Sequence, residues 1–157
     1  DVAPSRGLGD VYKRQIMQVN KVLTKEPVFV EDNDAKDYGT DPIEISGQSI
    51  SKAHLNLRYT FLNGGNHLIP HSISLLIAKD AQPDARGYLS AELRHDAADD
   101  LQLNANSGYV SFTLENMPGF KEGTLKGFKI KTKTIKNETD IVEVTMNNNR
   151  KSMNFNI

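Results

Sequence analysis

Acidic side chains crowd one short stretch, Glu31-Asp32-Asn33-Asp34-Ala35-Lys36-Asp37-Tyr38-Gly39-Thr40-Asp41, with five carboxylates and an Asn in eleven residues. Clustered oxygen donors suit a hard cation, so calcium is the one cofactor the sequence suggests, with Asp32, Asp34 and Asp37 as its expected ligands. The spacing is not that of an EF-hand, because Lys36 stands at the fifth position from Asp32, where Asp or Asn is needed. The competing reading is a solvated acidic turn, since Asp and Asn populate turns for conformational reasons of their own.

Two further stretches put polar groups at every second position: Tyr88, Ser90, Glu92 and Arg94, then Tyr109, Ser111, Thr113 and Glu115. If the two strands share a sheet, Tyr88, Glu92, Arg94, Tyr109 and Glu115 lie on one face. An aromatic ring there would cover the apolar side of a sugar while the charged groups bond its hydroxyls. Glu92 and Glu115 would alternatively serve as the carboxylate pair of a glycoside hydrolase, provided that they stand roughly 5–10 Å apart. Cross-strand pairs on a solvated sheet explain the same residue types without a ligand.

Lys129, Lys131 and Lys133 share one side of a strand, since side chains alternate in direction. This basic stripe suits a polyanion such as an acidic polysaccharide. No aromatic residue sits between the lysines to stack a base, so nucleic acid is not indicated. Lysines also guard sheet edges against association, and an edge strand is the expected setting. His54, His67, His71 and His95 show no His-x-His or His-Glu-x-x-His spacing, and Pro70 disfavours a helix joining His67 to His71. No metal site is expected from them.

The elements that must carry these groups read as strands. Leu55, Leu57, Tyr59 and Phe61 alternate with His54, Asn56, Arg58 and Thr60, so 53–62 is a strand with one buried face. Asn63-Gly64-Gly65-Asn66 follows, then Ile73, Leu75 and Ile77 resume the alternation, which predicts a β-hairpin over 53–78. Segments 87–95, 108–116 and 125–135 repeat the pattern, 141–146 is expected to turn at 147–149 into a last strand over 152–157, and 19–23, 27–30 and 42–45 are weaker strands. About ten strands and at most a helical turn within 95–103 predict an all-β fold, an antiparallel β-sandwich or jelly roll.

Residues 1–15 show no period of either kind. Asp10-Val11-Tyr12-Lys13-Arg14-Gln15 resembles the in-frame translation of a sequencing adapter, as occurs in reading frames taken from shotgun metagenomic DNA. The first fifteen residues are therefore expected to be non-native, and 16–157 to form one domain of bacterial or phage origin.

Composition narrows the function. The chain of 157 residues carries 19 basic and 20 acidic side chains, so no global charge draws it to nucleic acid or an anionic membrane. It has no Cys, which excludes disulfides, thiolate zinc sites and a Cys nucleophile. No apolar run approaches the roughly 18 residues of a membrane-spanning helix. The sequence thus reads as a non-catalytic binding or structural module, placed outside the cytoplasm or at the cell surface, with a glycan or a protein as partner. Two alternatives stand beside it: a carbohydrate-active hydrolase, and a self-assembling, phage-like shell or tube subunit that forms homo-oligomers.

Overall fold

The computed structural model describes residues 23–31, 35–65 and 69–146. Among the described residues, alternation of apolar and polar side chains becomes nine strands in two packed sheets. In chain order they are β1 (Leu23–Lys25), β2 (Val28–Val30), β3 (Ile43–Ser51), β4 (His54–Asn63), β5 (Ser72–Ala78), β6 (Tyr88–Asp96), β7 (Asn104–Thr113), β8 (Gly127–Lys133) and β9 (Thr139–Thr145). One sheet has the order β1-β7-β4-β3 and the other β2-β5-β6-β8-β9. The β-sandwich expected from the sequence is therefore present. The last predicted strand, 152–157, and its turn lie outside the described residues.

Inward-facing residues explain the cohesion. Leu55 and Leu57 of β4, Val110 and Phe112 of β7, Leu75 and Ile77 of β5, Leu89 and Leu93 of β6, and Phe128 and Ile130 of β8 form one buried cluster between the sheets. Burying each such side chain contributes roughly 1.5–3 kcal/mol. Gly108, opposite Tyr59 on β4, lets the tyrosine ring lie flat against the strand, because an added Cβ would stand 2.5 Å from its hydroxyl oxygen.

Two expectations need correcting. The segment 53–78 is not a hairpin: β4 pairs with β3 and β7, whereas β5 lies in the other sheet beside β2 and β6. The connection after β4 is a crossing between layers. Pairing is mainly antiparallel, but β1 with β7, β2 with β5, and β6 with β8 run parallel. The only described helical element is a 3₁₀ turn at Ala35–Tyr38, in the acidic loop, and none forms within 95–103.

Candidate functional site

The lysine stripe is where sequence and structure first meet. Lys129 and Lys131 point away from the core, opposite Ser90 and Glu92 of β6 on one side and Glu143 and Ile141 of β9 on the other. Strand β8 lies between β6 and β9, so the expected edge setting is wrong and these lysines guard no edge. They lie on the outer face of the five-stranded sheet, one strand in from β9. Lys133, at the end of β8, is exposed on the same side.

A groove of about 420 Å³ opens on this face. Its size falls in the range of small-molecule and oligosaccharide sites, roughly 300–1,000 Å³. Apolar groups from Val30, Leu76, Ala78 and Ile141 line it together with Lys129, Lys131, Glu31 and Glu92. Leu76 points outward yet is only 4% exposed, because the 3₁₀ turn packs across β5 and β6. That turn supplies Ala35 to the groove wall. Lys129 also stands 3.5 Å from Asp84, and Lys79 stands 3.8 Å from Glu31 at the rim.

Arg94 holds the wall in place. Its Nη1 donates to the Ala35 carbonyl at 3.1 Å and to the Gly39 carbonyl at 2.6 Å, and its Nε donates to Glu92 Oε2 at 2.8 Å. Gly39 has φ +82°, and an added Cβ would meet the His95 carbonyl oxygen at 2.6 Å and Asp96 Cα at 2.7 Å. A glycine is therefore required where the loop crosses β6. Asp41 completes the anchorage, accepting from Ala97 N at 2.7 Å while its own N–H donates to the His95 carbonyl.

The predicted sugar face is divided. Tyr88, Glu92 and Arg94 lie on β6 in the five-stranded sheet, whereas Tyr109 lies on β7, and Glu115 just beyond it, in the four-stranded sheet. The outer faces of packed sheets point in opposite directions. Tyr109 and Glu115 are thus not brought to Glu92, and the condition for a paired-carboxylate hydrolase is not met. Tyr88 is 9% exposed, with Arg86 over its ring at 4.4 Å and its hydroxyl 2.7 Å from Thr145 Oγ1, so it offers no open stacking platform. Of the expected calcium ligands, Asp32 and Asp34 lie outside the described residues, and Asp37 is an exposed member of the 3₁₀ turn. Among the described residues no group of three or more His, Asp or Glu converges as a metal site.

Sequence reasoning missed a second cluster at one end of the sandwich. His95, on the inner side of β6, is 1% exposed, and its Nδ1 lies 2.9 Å from the Pro42 carbonyl. His71 Nδ1 is 2.8 Å from His95 Nε2, and His71 Nε2 is 2.8 Å from Asp100 Oδ2. The Phe61 ring meets both imidazoles edge-on at 5.3 and 5.5 Å. Burial pushes His95 below the ordinary imidazole value, and the hydrogen bond from His71 holds Asp100 below the usual carboxylate range. The available signal was His95 alternating inward with Leu89, Ala91 and Leu93.

Residues 26–146 match the family model of the NigD-like C-terminal beta sandwich domain. No curated protein matches the chain. Among solved structures, a protein of unknown function from Bacteroides vulgatus superposes with a TM-score of 0.68 at 19% identity, over 87% of this chain and 63% of the other. A protein from Parabacteroides distasonis described as toxin related gives 0.63 at 28% identity, over 85% and 65%. A NigD-like immunity protein from Bacteroides caccae gives 0.57 at 20% identity, over 78% and 59%. The chain thus spans less than two thirds of the length of each of these three proteins.

Proposed function

The chain belongs to the NigD-like C-terminal β-sandwich family, and from this premise we propose that it is a non-catalytic binding module whose partner docks in the groove on the five-stranded sheet. One observation carries the reading: Lys129 and Lys131 stand over an apolar floor of Leu76, Ala78 and Ile141, with Glu31 and Glu92 beside them. Apolar area supplies affinity there, while Lys129 and Lys131 offer donors to a carboxylate and Glu31 and Glu92 accept from hydroxyls. A carboxylated glycan fits this chemistry.

The test is calorimetric titration with polygalacturonate and, as a neutral control, dextran, using the protein and its Lys129→Glu/Lys131→Glu variant. Binding of the acidic polymer, weakened about tenfold or more by the double reversal, supports the reading, because tenfold corresponds to about 1.4 kcal/mol. Equal binding by both proteins, or none by either, removes it.

A protein partner is the second reading, favoured by the toxin-related and immunity descriptions of two similar structures. It predicts that the same variant loses a partner carrying an acidic segment while polygalacturonate binds neither form. A self-assembling subunit would instead give ordered oligomers by light scattering as concentration rises. Placement outside the cytoplasm accords with a surface-bound partner, and fractionation of expressing cells checks it.

A further inference from the structure

The hydrogen-bonded line Asp100–His71–His95–Pro42 fixes its own proton count. The Pro42 carbonyl can only accept, so His95 Nδ1 carries a proton and donates across 2.9 Å. Burial disfavours a charge on His95, and the neutral ring has its Nε2 as an acceptor. His71 Nδ1, 2.8 Å away, must then donate. Asp100 accepts from Gly64 N at 3.1 Å and Leu101 N at 2.8 Å, as an ionised carboxylate does. A His71 with a single proton, on Nδ1, would turn the bare lone pair of Nε2 toward that carboxylate at 2.8 Å. Two acceptors at that separation repel.

We propose that Asp100, His71 and His95 share one proton beyond those of two neutral imidazoles and a carboxylate, held between His71 and Asp100. It acts as a pH-sensitive clasp at this end of the sandwich. The clasp ties the segment before β3 at Pro42, the turn after β4 at Gly64, the start of β5 at His71, and the loop after β6 at Asp100. With the proton in place the line has no net charge. Without it, His71 has a single ring proton for two acceptors, so either its contact with Asp100 or its contact with His95 opens.

Among the described residues the surrounding charges have partners of their own. Asp41, from the segment before β3, accepts from Ala97 N, and Asp96, on β6, accepts from Ala98 N. Arg94, on the opposite face of β6, spends its guanidinium on Glu92 and two loop carbonyls. From β4 the packing group is the uncharged Phe61 ring. This proposal does not depend on what the groove binds.

Imidazole ¹⁵N–¹H NMR of the whole chain between pH 6 and 9 tests it. The expected result at pH 7 is a His71 ring protonated on both nitrogens and a His95 ring protonated on Nδ1 alone. On raising the pH, loss of the shared proton should move the Asp41, Gly64 and Leu101 amide signals together. A His71 with one ring proton at pH 7 overturns the proposal. Melting supplies an independent readout: the wild-type midpoint should fall by several degrees from pH 7 to 9. Asp100→Asn places an amide N–H toward a neutral His71 at the cost of the bond from Gly64 N, so its midpoint should be lower but flat over that range. A wild-type midpoint equally flat also overturns the clasp.

Discussion

Arg94 shows how one side chain can decide the shape of a surface it scarcely occupies. Its side chain is 14% exposed, and it satisfies two loop carbonyls and one carboxylate at once. Arg94→Ala is expected to cost about 2–4 kcal/mol in urea unfolding, because charge-assisted bonds are lost and buried acceptors are left unmet. Arg94→Lys should rescue little of this, since a point charge cannot reproduce the planar fork. Gly39→Ala faces both a left-handed φ and a backbone collision. A loss of about 1–3 kcal/mol is expected from the strain alone. If either variant unfolds at the wild-type urea midpoint, the loop is not anchored as described.

At the scale of elements, the alternation in β4, β6 and β8 was legible because each of these strands buries one side against the other layer. Phe128→Ala, removing a fully buried ring from β8, is expected to cost about 3–5 kcal/mol in urea unfolding. What periodicity cannot carry is the identity of the neighbour. Leu55 and Ile73 have the same pattern whether their strands are adjacent or lie in facing sheets, so the predicted hairpin and the shared sugar face both failed. The lysines were read correctly as one stripe, but their place one strand in from the edge depends on β9, which follows them in the chain. His71, His95 and Asp100 meet across 24 and 29 residues, a convergence that no local spacing encodes. Calcium in the acidic loop is testable at this scale. Excess calcium should raise the melting midpoint by several degrees, and Asp37→Asn should diminish the rise. An unchanged midpoint would make the loop a turn only.

The molecule as a whole should respond to acid in a defined direction. Burial lowers His95 from 6.5 in the folded chain, with Pro42 and the neighbouring carboxylates opposing the shift, while His71 lowers Asp100 from 3.8. Both groups bind protons more readily when unfolded, so their stabilisation is present above these ordinary values and is lost as pH falls through the lowered ones. Urea midpoints measured from pH 7 to 4 should decline steadily, first from His95 and then from Asp100. A constant midpoint would mean that neither group is set by folding. Combined with the alkaline loss expected of the clasp, stability should peak near neutrality. The interleaving of the sheets has a temporal consequence. The four-stranded layer draws on β1, β3, β4 and β7, so it is incomplete until residue 113 has been made, while the five-stranded layer needs β8 and β9, which come later still. No contiguous half of the chain can fold and hold its place, and such non-local pairing is formed slowly, on the order of milliseconds to seconds. A nascent chain therefore leaves the ribosome with β3 and β4 exposing an unpaired edge, and a chaperone would find its longest opportunity there.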